Sequence, residues 1–185
     1  MFRYFCTTLL KIFRWKINGD LPSLPQYVII VAPHTSNWDF IIGVICRGAL
    51  GQKIHFLGKH QLFKPPIGWF FKIVGGIPVD RSRSNKLVDD VVDLFNKNNE
   101  FRLALSPEGT RSPVERWKTG FYYIAKGANV PVIMIGLDFK LRILDIADPI
   151  LMSDNIDKDM NKILYFFQNI DGRHPKGIPE LYNKE

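Results

Sequence analysis

The sequence predicts an α/β fold: a single domain on a largely parallel, mixed sheet flanked by helices, with an amphipathic helix at its N-terminus. Three observations predict it. Short β-branched runs without polar alternation, such as YVIIVAP and VPVIMIGL, read as strands buried on both faces. Segments with helical spacing separate them, the alternation that builds a parallel sheet. Finally, the 185 residues are 46% hydrophobic and 13% aromatic, enough for one core. No repeat, low-complexity run or long linker divides the chain.

The elements follow in order. Residues 1–20 begin MFRYFCTTLLKIFRWKI, with Arg3, Lys11, Arg14 and Lys16 spread through the segment. No stretch approaches the ~20 apolar residues of a spanning helix, and no small-residue cleavage site follows. On a helix, Phe2, Phe5, Leu9, Leu10, Ile12 and Phe13 crowd one broad side. Such a helix can lie in a headgroup region or pack on its own domain. Residues 21–185 form the α/β domain. LPSLPQ breaks the helix region; YVIIVAP is the first strand; WDFIIGVICRGAL is an apolar helix; KIHFLGK is a strand. KPPIGWFFKIVGG has a Pro-Pro start and helical spacing, and IPVD is a short strand. NKLVDDVVDLFNKNN is an amphipathic helix with Leu87, Val91 and Leu94 or Phe95 inward. EFRLALS is a strand, FYYIAKGA a helix closed by Gly127, VPVIMIGL a buried strand, DFKLRILDIADP an exposed one, and DNIDKDMNKILYFFQNI the last helix. Functional loops then belong at the carboxyl ends of strands.

A net charge of +7 and a pI of about 9.4 favour an acidic partner: nucleic acid, an anionic membrane surface or a phosphorylated substrate. Nucleic acid is set aside, because the basic residues are scattered and no groove-reading helix or stacking sheet stands out. Cys6 and Cys46 have no CxxC spacing and no companions for a disulfide framework, which points to free thiols in a reducing compartment. The histidines at 34, 55, 60 and 174 have no metal-ligand spacing.

Four stretches carry candidate chemistry. In VAPHTSNWDF, His34 and Asp39 can meet only if His34 sits in a loop and Asp39 in the first helical turn, since five positions on one helix diverge by roughly 140°. Thr35, Ser36 and Asn37 are all suitable N-caps. An aspartate on one imidazole nitrogen fixes the tautomer and frees the other to take a proton. The bland alternative makes Asp39 only a helix-start charge. No G-x-S-x-G elbow supplies a protein nucleophile, so the hydroxyl would be a substrate's. In SPEGTRS, Gly109 suits a turn with φ > 0, Arg111 offers a fork for phosphate, and Glu108 requires amide or hydroxyl donors. GGIPVDRSRS adds Asp80, Arg81 and Arg83 after a strand. Lys118 lies at a helix start, where charge and helix terminus both favour an anion.

Together these stretches resemble the glycerolipid acyltransferase family, typified by 1-acylglycerol-3-phosphate acyltransferases. His34, Ser36 and Asp39 match its His-x-Ser-x-x-Asp block. Gly76, Ile77, Val79, Asp80 and Arg81 match the second, and Pro107 to Ser112 the Pro-Glu-Gly-Thr-Arg-Ser block. Lys118 and Gly120 match a Lys-x-Gly, and VPVI from Val130 the late apolar block. The resemblance spans roughly residues 26–137. It implies transfer of a fatty acyl group from an acyl-CoA or acyl-carrier-protein thioester to a hydroxyl of a lipid acceptor, without cofactor or metal. His34 would be the general base and Asp39 its orienting partner. Ser36, Arg81, Glu108, Gly109, Thr110, Arg111 and Lys118 would form the acceptor site. The setting implied is peripheral, on the cytoplasmic face of a membrane. The alternative is a catalytically silent lipid- or anion-binding protein at that surface. Pro33, Ser106 and Pro78 depart from the usual Asn, Phe and bulky apolar residue; none removes a catalytic group, and all bear on acceptor fit.

Overall fold

The computed structural model describes residues 2–79 and 84–181. In chain order the elements are α1 (Phe2–Ile12), β1 (Lys16–Asn18), β2 (Gln26–Ala32), α2 (Asn37–Leu50), β3 (His55–Lys59), α3 (Gly68–Ile73), β4 (Gly76–Val79), α4 (Ser84–Lys97), β5 (Phe101–Leu105), α5 (Gly120–Gly127), β6 (Val132–Asp138), β7 (Ile143–Ile146) and α6 (Ile156–Phe167). The strands form one sheet in the order β1-β7-β6-β2-β5-β3-β4. The block from β6 to β4 is parallel, whereas β7 runs antiparallel to β6. The architecture is the expected mixed, largely parallel α/β sheet.

β2 shows why its apolar run has no polar alternation. Val28 and Ile30 join Leu103 and Val132 on one face, under Val91 and Phe95 of α4, Phe121 of α5 and Phe167 of α6. Tyr27 and Ile29 join Ile133 and Ile135 on the other, against Cys6 and Leu10 of α1 and Ile42 and Cys46 of α2. Both faces are covered, so both phases of the strand are apolar. Pro78 lies on β4, which ends the sheet and pairs only with β3; an edge strand tolerates its missing N–H.

Two expectations change. The N-terminal segment is not helical to residue 20: the helix stops at Ile12, and Lys16–Asn18 pairs in parallel with β7 (Lys16 opposite Ile143). And β7 is not simply exposed, because Leu144 and Ile146 are buried while Ile143 and Asp145 are half-buried.

α1 packs on its own domain along one side and leaves apolar side chains exposed along the other. Cys6 and Leu10 are buried, and the Arg3 Nε donates to the Ala49 carbonyl (3.0 Å). Yet Phe2, Tyr4, Phe5 and Ile12 remain exposed. The close approach requires Gly48, where a Cβ would lie 2.4 Å from the Cys6 Sγ. Gly48→Val is therefore expected to lift α1 from α2 and destabilise the fold by about 1–3 kcal/mol, read from urea unfolding midpoints. α3 also leans on α2, through Phe71 against Phe40 (5.8 Å), and leaves Trp69 and Ile73 exposed. Among the described residues, no helix is long and apolar enough to cross a membrane.

Candidate functional site

Topology sets the place. The chain leaves β2 through α2 toward β3, and leaves β5 through α5 toward β6 on the far side of β2. Adjacent parallel strands whose following helices cover opposite faces of the sheet, as α2 and α5 do, open a crevice at their carboxyl ends. The His34 loop leaves β2 there and the 106–111 turn leaves β5. A cavity of about 950 Å³ opens between them, lined by His34, Asp39, Gly109, Thr110, Arg111 and Lys118 at its polar part and largely by aliphatic and aromatic side chains elsewhere.

Asp39 is the hub of the first loop. Ser36 caps α2, and Asp39 is the third helical residue, so the two form a reciprocal capping box. Asp39 Oδ2 accepts the amides of Thr35 (2.6 Å) and Ser36 (2.8 Å), and Oδ1 accepts the Ser36 hydroxyl (3.0 Å). The same Oδ2 lies 2.9 Å from His34 Nδ1. Burial pushes the Asp39 carboxyl up, but the hydrogen bonds from His34, Ser36 and Thr35 outweigh it and hold the group below the ordinary carboxylate value. A carboxylate only accepts, so the neutral imidazole carries its proton on Nδ1 and its lone pair on Nε2. His34 keeps 29% of its side chain exposed, against 6% for Asp39. One ring nitrogen is fixed, and the ring stays part-exposed.

Ser36 has a duty other than the substrate contact expected of it. It is buried, and its hydroxyl is engaged by Asp39 and by the Trp38 amide (3.1 Å).

The second loop turns at Gly109, whose φ is +67°, the left-handed conformation expected for it. Its amide donates to the Ser106 carbonyl (3.2 Å). A Cβ on Gly109 would sit 3.0 Å from Lys118 Cδ and 3.1 Å from its Nζ, so the Lys118 stem lies across the turn. Gly109→Ala combines about 1 kcal/mol of backbone strain with displacement of Lys118. Its expected result is an unfolding free energy lower by about 1 kcal/mol, read from urea midpoints. Arg111 and Thr110 are exposed beside it.

Glu108 is not a cavity-lining group. It is 1% exposed; Oε2 accepts the backbone amide of His34 (2.6 Å) and the Ser106 hydroxyl (3.3 Å), and Oε1 is ion-paired with Lys176 (3.0 Å). The amide donors required of it are therefore backbone ones. Lys176 is the residue that the sequence concealed: it lies in GRHPKGIPE, which has neither period nor motif. Asp80 and Arg81 lie outside the described residues. β4, which leads to them, is two strands from β5.

Comparison with known proteins identifies the family. The acyltransferase family pattern matches residues 17–138. A 1-acyl-sn-glycerol-3-phosphate acyltransferase of Streptococcus pneumoniae is 27% identical over 92% of this chain and 74% of its own. The chloroplastic 1-acyl-sn-glycerol-3-phosphate acyltransferase BAT2 of Brassica napus is 32% identical over 68% of this chain and 37% of its own. The crystal structure of the 1-acyl-sn-glycerophosphate acyltransferase PlsC from Thermotoga maritima superposes with a TM-score of 0.64, covering 89% of this chain and 74% of that one, at 15% identity; that likeness concerns the fold. With the family pattern spanning both loops of the crevice, the chain belongs to the glycerolipid acyltransferase family.

Proposed function

We propose that this acyltransferase moves a fatty acyl group from an acyl-CoA or acyl-carrier-protein thioester to a hydroxyl of a (lyso)phospholipid-type acceptor. The observation that carries the mechanism is the 2.9 Å His34–Asp39 contact at the polar part of a largely apolar cavity. His34 Nε2 takes the acceptor's hydroxyl proton as that oxygen attacks the thioester carbonyl. The C–S bond then breaks, and the imidazolium returns the proton to the departing thiolate, leaving an ester and a free thiol. Asp39 holds the tautomer and stabilises the imidazolium as it forms. Arg111 and Lys118 bring positive charge to the crevice beside Gly109, and with Arg81 they would hold an acceptor phosphate. The names of the relatives make lysophosphatidate the first acceptor to try.

A membrane surface is the proposed setting. Phe2, Phe5 and Ile12 on α1, with Trp69 and Ile73 on α3, are exposed large apolar side chains, accompanied by Lys11, Lys64 and Lys72. Such a combination suits the headgroup boundary of an anionic bilayer. Purified protein is assayed with a panel of acyl thioesters and lysolipids, following acceptor-dependent release of free thiol. Release from lysophosphatidate is the expected result; silence of folded protein across the panel would remove the proposal. Flotation with anionic vesicles tests the setting, and Trp69→Ala with Ile73→Ala is expected to reduce it.

A further inference from the structure

Beyond α6 the chain returns to the crevice. The Phe139 amide donates to the Asp171 carbonyl (2.8 Å), and Gly172 lies against Pro33 and Thr35, where a Cβ would meet Thr35 Cγ2 at 2.6 Å. The Arg173 guanidinium stands 5.2 Å from the centre of the Trp38 ring, and the His174 amide reaches Thr35 Oγ1 (3.4 Å). The segment thus follows the outside of the His34 loop before Lys176 turns inward.

Lys176 is a buried cation held among three oxygens. Its Nζ lies 3.0 Å from Glu108 Oε1, 3.1 Å from the His34 carbonyl and 2.8 Å from the Thr110 carbonyl. The Lys176 and Glu108 side chains are 2% and 0% exposed. Two of its N–H groups donate to the His34 and Thr110 carbonyls, and the charge faces the Glu108 carboxylate. Glu108 returns its other oxygen to the His34 amide. One ion pair therefore holds both the N–H and the C=O of His34, and ties them to Thr110 on the opposite wall. Such a pair adds little net stability, because desolvating two charges offsets most of their attraction. What it adds is register between the two loops.

We propose that Lys176 is a positioning residue for acyl transfer: it locks the His34 loop to the 106–111 turn and so sets the distance from His34 Nε2 to the acceptor. The proposal rests on His34 being the general base, and adds a residue from outside the matched stretch 17–138.

Lys176→Met keeps the stem and removes the charge. The expected result is a fall in kcat of about 10²-fold, the scale of a small misplacement of a reacting group. KM for donor and acceptor should change by less than about two-fold, while the melting temperature should fall clearly, because the Glu108 carboxylate is left buried without its partner. Independently of activity, the His34 amide cross-peak in a ¹H–¹⁵N spectrum should move and its proton exchange faster. In Lys176→Met/Glu108→Gln the stranded carboxylate is gone and an amide oxygen still accepts the His34 N–H, so kcat should recover about tenfold over the single variant. If Lys176→Met does not fold, this double variant, which strands no charge, carries the same readouts. Wild-type kcat in Lys176→Met, with His34→Ala inactive, would overturn the positioning role and leave the base intact. A kcat loss tracking the loss of folded protein, without recovery in the double variant, would reduce Lys176 to structural support. Full activity in His34→Ala would remove the base itself, and the proposal with it.

Discussion

His34→Ala is expected to lower acyl transfer by about 10²–10⁴-fold, the usual worth of a general base, while the unfolding midpoint barely moves. The separation of effects follows from the geometry. The ring is part-exposed, and Asp39 retains the Thr35 and Ser36 amides and the Ser36 hydroxyl without it. The grip of Glu108 is on the His34 backbone, which alanine preserves. The measurement is acceptor-dependent thiol release by both proteins at matched folded concentration. A retained rate would strike His34 from the mechanism. Wild-type silence with vesicle binding intact in both proteins would favour the alternative of a catalytically silent binder.

Asp39→Asn should strike activity and stability together. Asparagine is isosteric but neutral, so the imidazolium loses its counter-charge and kcat should drop by about 10³-fold. The same substitution weakens the start of α2, because the carboxylate completes its capping box; about 1–2 kcal/mol of stability is expected to go. The pH dependence has a definite sign. The Asp39 carboxyl is held below its ordinary value of 3.8, so its extra stabilisation is present above that pH. It is lost as pH falls from there through the lower folded-state value, where the native state must take up a proton. Urea midpoints of wild type and Asp39→Asn should therefore differ at neutral pH and draw together in acid. A constant gap down to the acid limit would show that the charge contributes nothing beyond shape.

What could be read from the sequence was local. The buried strands announce themselves because both of their phases are apolar. The His34–Asp39 pair is legible because five residues of loop and helix cap determine its geometry, whatever the rest of the chain does. β1 was hidden for the opposite reason: Lys16 and Asn18 carry no strand signal, and pairing with a strand over a hundred residues later makes Lys16–Asn18 extended. The same distance concealed Lys176, which is 142 positions from His34. Ser36 and Glu108 sit in legible motifs, but a motif does not say which way a side chain turns. Ser36 turned to the helix cap and Glu108 to a backbone amide. α1 carried more apolar surface than one neighbour could cover, and Cys6 goes in where Gly48 leaves room for it while Phe5 stays out.

The bonds to Glu108 and Lys176 also bear on the order in which the molecule is completed. His34 follows the first strand of the parallel block, and its backbone is held from positions 108 and 176. The Lys176 contact spans 142 positions, more than any pairing in the sheet, and forms late because the loop it closes costs entropy before it returns anything. A growing chain can therefore assemble most of its sheet while the crevice is still loose. Ability to turn over substrate should arrive after the bulk of the secondary structure, as a slower step, in refolding followed side by side by circular dichroism and by thiol release.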